Sequence, residues 1–258
     1  MKKYKHLSVE ERQQMTFDWR YRGWTVLELL TEQEVDELNA ELDRLRLERN
    51  EAEPEKWQEF EPIMHPHKSS EKIEKMFSHP KIVEACEFLM EGDIVGMQTW
   101  GYYKPKGELG RDQHQNGFYT GCGHNEIINT ALALDNHDPD NGAVWNYEGS
   151  HRLPILPMED NEERKKTNTG NWRSERGISC VMPEGHDFKK IEGYLRKGQV
   201  ALLHSHVVHG SEPNRDTTRM RRNFLCGYLK QGANFHPGNQ MKREPIDIYK
   251  LREKHWGE

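Results

Sequence analysis

Residues 94–103 read IVGMQTWGYY, and the four residues that follow, KPKG, are typical of a turn. β-Branched and aromatic residues dominate the run, which therefore predicts a strand. Runs of the same kind, separated by turn residues such as DPDNG, recur at 127–134, 143–147, 199–204 and 223–229. Many short strands with Gly, Pro and Asn turns indicate a sandwich or barrel rather than a βαβ fold. A jelly roll is the all-β architecture that best accommodates a metal site between its sheets.

The chain before residue 93 has a helical pattern instead. Ser8 with Glu11, and Thr31 with Glu34, have the spacing of a capping box, which marks the start of a helix. After the second box, apolar residues recur every three or four positions and predict a helix of about 16 residues with one apolar stripe. The buried positions expected are Val35, Leu38, Leu42 and Leu45, then Ile82, Cys86 and Leu89 of a helix from Pro80, with a short strand at 23–29 between the helices.

Two polar stretches interrupt these patterns. Residues 49–70 contain three prolines and predict a loop. Residues 157–178 are charged and almost free of aliphatic side chains, which predicts a surface insertion, either a solvated loop or a lid. We therefore expect one α+β domain over residues 1–258: a mainly helical part at 1–92, a jelly-roll core at 93–232 that holds the insertion, and a C-terminal tail at 233–258.

Composition and charge narrow the classes of function. A net charge of −6 with 37 Lys and Arg residues does not favour a nucleic-acid partner. No apolar run approaches the ~20 residues that a bilayer span needs, and the basic N-terminal residues lack an apolar signal segment behind them. With no such signal, the four scattered cysteines are expected to be free thiols, and the chain to be cytoplasmic. Its oligomeric state stays open.

Two histidines that are far apart in the sequence, His114 and His209, are the main candidates for metal ligands. Two imidazoles and one carboxylate can hold non-haem Fe(II) and leave positions for a co-substrate and O₂. His114 is followed two residues later by Asn116, where this chemistry expects Asp or Glu. His204 and His206 alternate on an expected strand, so we expect packed side chains there rather than further ligands.

The chain at these residues resembles the phytanoyl-CoA dioxygenase family of Fe(II)- and 2-oxoglutarate-dependent oxygenases. The resemblance runs along most of the chain, and the order and spacing of its pieces are more specific than any single piece. It implies a cupin-like double-stranded β-helix with N-terminal packing helices, and the use of Fe(II), 2-oxoglutarate and O₂. The matching stretches are YRGWTVL at 21–27, QTWGYYKP at 98–105, HQN at 114–116, NGAVW at 141–145, GSHR at 149–152 and HSHVVHGS at 204–211.

The resemblance also implies roles for particular side chains. Arg221 would bind the distal carboxylate of 2-oxoglutarate, because a planar guanidinium holds a carboxylate through two charge-assisted hydrogen bonds. Arg222 should point to the opposite face of the strand, and Arg219 is a looser competitor. The other matches are His114, Asn116 and His209 for iron, Gln98, Thr130 and Ser211 for 2-oxoglutarate, and Tyr102, Tyr119, Trp172 and Arg173 as candidate substrate contacts.

Asn116 leaves three interpretations open. It can bind iron through its neutral amide oxygen in a working hydroxylase, although more weakly than a carboxylate would. It can leave room for chloride, as in related halogenases that carry a small residue at this position, although Asn is larger than theirs. It can also mark an impaired site in a cupin-like binding protein without redox chemistry. The expected function is hydroxylation of a C–H bond in a small, polar or charged metabolite, with 2-oxoglutarate converted to succinate.

Overall fold

The computed structural model describes residues 4–57, 59–160, 177–238 and 242–258. Most of its helices pack on one side of a large antiparallel sheet, and a smaller sheet lies on the other side. The helices are α1 (Val9–Tyr21), α2 (Glu32–Ala52), α3 (Glu71–Phe77), α4 (Pro80–Met90), α5 (Asn116–Thr120) and α6 (Ile248–Trp256). The strands are β1 (Trp24–Glu28), β2 (Ile63–Met64), β3 (Ile94–Lys104), β4 (Arg111–His114), β5 (Ile127–Ala133), β6 (Val144–Tyr147), β7 (Met158–Asp160), β8 (Ile178–Cys180), β9 (Lys190–Ile191), β10 (Gln199–His204), β11 (His209–Ser211) and β12 (Arg221–Lys230).

The first two helices begin at the predicted capping boxes. Ser8 Oγ accepts a hydrogen bond from Glu11 N at 3.0 Å, and Thr31 Oγ1 accepts one from Glu34 N at 3.4 Å. α2 continues to Ala52 and has 21 residues, so the predicted helix was too short and the predicted loop began too early. The buried residues predicted for α2 and α4 lie in the main core, as expected.

The two sheets have the topology of a jelly roll. The larger sheet has the strand order β1-β10-β5-β12-β3-β2, and the smaller has the order β4-β11-β6-β9. The helix-facing side of the larger sheet is apolar and includes Leu132, Leu202, Phe224 and Tyr228. Burial of this face against the helices supplies the main hydrophobic core. The other face is turned toward the smaller sheet, and the candidate site lies between the two.

The five predicted strands of the core are all present, with ends shifted by one or two residues. The two strands that carry the candidate histidines, β4 and β11, were not predicted. They have four and three residues and contain no aliphatic alternation, so periodicity could not reveal them. Helix α6 lies in the segment that was expected to be a plain C-terminal tail.

The charged insertion begins and ends in a small antiparallel pair of strands. Met158 in β7 lies opposite Cys180 in β8, and Asp160 lies opposite Ile178. Residues 161–176, which include the candidate substrate contacts Trp172 and Arg173, lie outside the described residues. No helix in the described part of the chain has both the length and the apolarity that a bilayer span requires.

Candidate metal and co-substrate site

The two candidate iron ligands meet across neighbouring strands. His114 ends β4 and His209 begins β11, and the two residues lie directly opposite each other in the antiparallel register. Their ring centroids are 4.3 Å apart, and both side chains are buried. Residues that are distant in sequence are thus brought together by one pair of strands.

Hydrogen bonds to the backbone fix the tautomer of both imidazoles. His114 Nδ1 lies 2.8 Å from the carbonyl oxygen of Asp112, and His209 Nδ1 lies 2.9 Å from that of Val207. A carbonyl oxygen only accepts, so each Nδ1 carries the proton and donates it. Each Nε2 therefore keeps its lone pair, which is the arrangement of metal-binding histidines.

Burial keeps both imidazoles neutral. It lowers the pKa of His114 well below its usual value of 6.5 and lowers the pKa of His209 to about 4. The guanidinium of Arg111 adds to the shift at both rings, and His209 adds to it at His114. Metal ligands must be deprotonated, so both histidines are ready to bind a cation at neutral pH.

Asn116 begins the short helix α5, directly after β4. The preceding Gln115 fixes this turn, since its side chain donates to the carbonyl oxygens of Pro154 and His206 and accepts from Leu156 N. Gly117 N donates to Ser205 O at 2.9 Å, and a Cβ on Gly117 would lie only 2.7 Å from the Ile155 side chain. The close packing of α5 against Ile155 and residues 205 and 206 therefore favours the small glycine at position 117.

The described residues do not supply a substitute for the missing carboxylate. Within residues 4–57, 59–160, 177–238 and 242–258, no three His, Cys, Asp or Glu side chains form a group that could hold a metal ion. Asn116 therefore remains the candidate third ligand, and its amide oxygen is a neutral donor.

Two buried cations mark one end of the space between the sheets. Lys104 and Arg221 are register partners on β3 and β12, with side chains 0% and 2% exposed. Lys104 Nζ reaches across to the other sheet and donates to Ser211 Oγ at 2.9 Å. Alternate residues of β3 from Gln98 to Lys104 therefore face the candidate site.

The guanidinium of Arg221 has unpaired donors. Its Nε and Nη1 are buried without a hydrogen-bond partner, and the ring centroid of Tyr102 lies 5.6 Å from its Cζ. The neighbouring arginines differ: Arg222 donates to both carboxylate oxygens of Asp135, and Arg219 pairs with Asp138 and Asp216. A buried cation with unpaired N–H groups is costly and calls for an anionic partner. The donor set at Arg221 thus fits a ligand carboxylate.

Ser211 lies beside this cationic end. Its Oγ accepts from Lys104 Nζ at 2.9 Å and from Arg111 N at 3.1 Å, which uses both lone pairs and leaves the hydroxyl proton to donate. Ser211 is two residues along β11 from His209, a separation of roughly 6–7 Å. The carbon chain of a five-carbon diacid spans roughly 5 Å, so one such molecule could reach from this end to the histidines.

Three other predicted residues also lie around this space. Gln98 is on the site-facing side of β3, and its Oε1 accepts from Arg243 Nε at 2.9 Å. Tyr119 has its ring centroid 5.8 Å from that of His114, and its hydroxyl accepts from Arg111 Nη2 at 3.2 Å. Tyr102 contacts the Arg221 end rather than the histidine end.

Thr130 does not face the site. It lies opposite Cys226 on one neighbouring strand and Leu202 on the other, and both of these residues belong to the helix-facing core. Because side chains alternate along a strand, the site-facing position belongs to Asn129, whose Nδ2 is buried without a partner. The structure therefore places Thr130, which was expected to contact 2-oxoglutarate, on the side of the larger sheet opposite the candidate site.

The sequence interpretation missed Lys104, Asn129 and Arg243. Lys104 could have been found, because it shares the alternation of Gln98, Trp100 and Tyr102 along one strand. No local signal marks Arg243, which reaches the site from the C-terminal segment through tertiary packing.

Comparisons with known proteins identify the family of the chain. The family model described as Phytanoyl-CoA dioxygenase (PhyH) matches residues 19–223. A probable alpha-ketoglutarate-dependent hypophosphite dioxygenase of Stutzerimonas stutzeri is 25% identical over 174 residues, which cover 66% of this chain and only 57% of that relative. An ectoine dioxygenase of Nocardia farcinica is 25% identical over 229 residues, which cover 80% of this chain and 73% of the relative.

The fold also matches solved structures. The epimerase SnoN, in complex with Fe³⁺, alpha ketoglutarate and nogalamycin RO, superposes with a TM-score of 0.70 at 17% identity, over 93% of this chain and 96% of the other. This likeness confirms the predicted jelly roll with packing helices, and the family match confirms the predicted resemblance. The chain therefore belongs to the phytanoyl-CoA dioxygenase family, the class of dioxygenases that uses iron, 2-oxoglutarate and O₂.

Proposed function

We propose that this chain hydroxylates a C–H bond of a small polar metabolite and converts 2-oxoglutarate to succinate in the same turnover. His114, His209 and Asn116 would hold Fe(II), and Arg221 would hold the distal carboxylate of 2-oxoglutarate. One observation carries the proposal: the buried guanidinium of Arg221 has unpaired donors, and two imidazoles with available Nε2 atoms lie in the same space between the sheets.

Fe(II), when bound, supplies the chemistry that couples oxidative decarboxylation of 2-oxoglutarate to transfer of one oxygen atom of O₂ into a C–H bond. The protein's own side chains bind and orient. Arg221 and the Ser211 hydroxyl would hold the distal carboxylate, and Lys104 keeps the Ser211 hydroxyl turned toward it. The backbone carbonyls of Asp112 and Val207 hold both imidazoles in the tautomer that binds a metal.

The polarity of the site supports a polar substrate. Besides those of Arg221, several buried side-chain atoms at site-facing positions have no hydrogen-bond partner among the described residues, including Trp100 Nε1, Asn129 Nδ2, Asn146 Oδ1 and Asn223 Oδ1. Buried polar groups are rarely left without a hydrogen-bond partner. Water or a polar ligand would therefore bind to these atoms. Asn146 lies directly opposite His209 on β6, so one of these groups would lie beside the proposed metal position. The names of the relatives, hypophosphite and ectoine dioxygenases, also point to small polar compounds.

Asn116 favours hydroxylation over halogenation. A halogenase needs an open coordination position for chloride, whereas the side chain of Asn116 extends from the position that would otherwise carry the carboxylate. Turnover with and without chloride separates the two reactions, because a halogenase requires the halide and a hydroxylase does not.

Anaerobic titration of the purified protein with Fe(II) and 2-oxoglutarate tests the proposal. A bidentate 2-oxoglutarate on Fe(II) gives a weak visible charge-transfer band, which we expect here but not in the variants His114→Ala or His209→Ala. Admission of air should then yield succinate. Absence of both the band and succinate in the wild-type protein would favour a binding protein without redox chemistry.

A further inference from the structure

We infer that Arg243 is a positioning residue of this site. It links Gln98 on β3 to the short helix α5, which begins with Asn116. The inference rests on the proposed function and goes beyond it, because Arg243 lies outside the residues that match the family model, 19–223. It lies in the C-terminal strap, which we define as residues 233–238 and 242–246.

Among the described residues, Arg243 donates hydrogen bonds to Gln98, Tyr119 and His236, which belong to separate parts of the chain. Its Nε donates to Gln98 Oε1 at 2.9 Å, and its Nη1 donates to Tyr119 O at 3.1 Å and to His236 O at 3.0 Å. Gln98 lies on the site-facing side of β3, and Tyr119 lies in the last turn of α5. One guanidinium therefore links the larger sheet, α5 and the strap.

The strap is anchored on both sides of this contact. His236 N donates to Thr120 O at 2.6 Å, and Ile246 exchanges two backbone hydrogen bonds of 2.8 Å with Gly96 on β3. A Cβ on Gly121 would lie 2.3 Å from the His236 ring, so the strap packs tightly against the end of α5. Arg243 is thus held in place by the backbone around it.

These bonds satisfy the end of a very short helix. α5 has five residues, too few to be stable alone, and its last carbonyl groups have no partners within the helix. Tyr119 O and Thr120 O are instead satisfied by Arg243 and His236 of the strap. The strap therefore fixes the orientation of α5, and with it the position of Asn116 at the start of the helix.

A neutral third ligand makes this support important. A carboxylate attracts Fe(II) over a distance and tolerates small displacements, whereas an amide oxygen depends on short, well-directed contact. A displacement of about 1 Å in a loosely supported site is enough to impair its function. Arg243 would keep α5, and therefore Asn116, rigidly in position. An aspartate at position 116 would depend less on this support because of its charge.

The guanidinium of Arg243 lies far from Lys104 and Arg221, where the distal carboxylate of 2-oxoglutarate would bind. Gln98 and Lys104 are six residues apart on β3, a separation of roughly 20 Å. Arg243 therefore does not duplicate Arg221, and its effect on 2-oxoglutarate would pass through the geometry at the metal.

The test compares Arg243→Gln with Lys242→Gln, a matched control that removes an exposed charge from the adjacent residue. In the metal-free protein, we expect faster amide hydrogen exchange over residues 117–121 in Arg243→Gln but not in the control. We expect Fe(II) affinity in the presence of 2-oxoglutarate to fall about tenfold, as for loss of a hydrogen bond from a charged donor. Arg243→Lys should recover only part of this loss, since one ammonium cannot match the planar fork.

A second substitution, at Asn116, distinguishes a positioning role of Arg243 from a purely structural one. Asn116→Asp should reduce the tenfold penalty of Arg243→Gln to about threefold or less, because a charged ligand depends less on the support of α5. Equal penalties in both backgrounds, or Arg243→Gln indistinguishable from Lys242→Gln, would overturn the inference. The proposed function fails separately, through absence of the charge-transfer band in the wild-type protein, while hydrogen exchange still reports on the strap.

Discussion

Lys104 and Arg221 lie opposite each other on neighbouring strands, and both cationic side chains are buried on the same face of the sheet. Lys104 is held by Ser211 Oγ at 2.9 Å and by the carbonyl oxygen of Gly142 at 3.4 Å, whereas Nε and Nη1 of Arg221 have no partner. Two like charges in a region of low polarity repel each other and lose their hydration. The ligand-free protein therefore bears a cost that a bound dianion would remove.

Arg221→Met should affect stability and binding in opposite directions. Removal of an unpaired buried cation should leave the melting temperature of the ligand-free protein unchanged or higher. The same change should weaken binding of 2-oxoglutarate about 10- to 100-fold, because two charge-assisted hydrogen bonds are lost. Thermal unfolding with and without 2-oxoglutarate measures both effects in one experiment.

Arg222→Met is the matched control for that prediction. Arg222 is bound to Asp135 at 2.7 and 3.0 Å on the other face of β12, so its loss leaves a carboxylate without its partner. We expect a lower stability by about 1–2 kcal/mol and an unchanged affinity for 2-oxoglutarate. If Arg221→Met instead destabilises the ligand-free protein and spares binding, the assignment of the distal-carboxylate site is wrong.

Two buried hydroxyl groups allow a second matched comparison. Ser211→Ala should weaken 2-oxoglutarate binding about 3- to 10-fold, because one hydrogen bond to the carboxylate is removed. Thr130→Val removes a hydroxyl group of the same kind from the helix-facing side and should change the affinity less than about twofold. Isothermal titration of the Fe(II)-loaded variants without O₂ decides whether 2-oxoglutarate binds between the two sheets or on the helix-facing side of the larger sheet.

Substitution of Asn116 tests the third ligand. Asn116→Asp should raise the affinity for Fe(II) at least about tenfold, because it places a full negative charge beside the metal. Asn116→Leu has a similar size but no donor atom, and it should lower that affinity if the amide oxygen binds iron. Competition with a metal chelator measures both, and wild-type affinity in Asn116→Leu would rule Asn116 out as a ligand.

The pH dependence of stability should reflect a cluster of histidines beside the site. The ring of His204 is buried, with centroids 4.4 Å from His124, 5.4 Å from His151 and 5.5 Å from His206. Burial, and then the neighbouring rings, lower the pKa of His204 to about 2, and burial lowers the pKa of His151 to about 4. Arg152 also acts on His151, and Trp19 packs on His204.

A histidine whose pKa is lowered by folding binds its proton more readily in the unfolded chain. Its contribution to stability is therefore complete above its ordinary pKa of 6.5, and it is lost progressively as the pH falls toward the folded value. His204→Gln should reduce the slope of unfolding free energy between pH 6 and 4 by about 1.4 kcal/mol per pH unit. Urea unfolding of the metal-free protein across this range measures the slope, and an unchanged slope would contradict the prediction.

Much of the fold was predictable because its signals are local. The capping boxes at Ser8 and Thr31, and the β-branched runs of the core strands, are decided by neighbouring residues. Strands β4 and β11 were not predictable in this way, since they are short, polar and stabilised by pairing with distant strands. Their presence depends on the fold as a whole.

The site shows the same division. His114, His209 and Arg221 could be identified because the resemblance provides flanking motifs and because alternation separates Arg221 from Arg222. Alternation was not applied to Thr130, which would have needed the register of β5 to decide its face. Arg243 depends on the path of the C-terminal strap, which no local pattern indicates.

The pairing of β4 with β11 also has a consequence for the stability of the smaller sheet. These strands share few residue pairs, and the register shifts between His209 and Ser211. A metal ion held by His114 and His209 would act as a reversible cross-link between these two strands. It would close a long loop of the chain and so stabilise the pairing. Iron loading would then help to determine when β4 and β11 come together during folding.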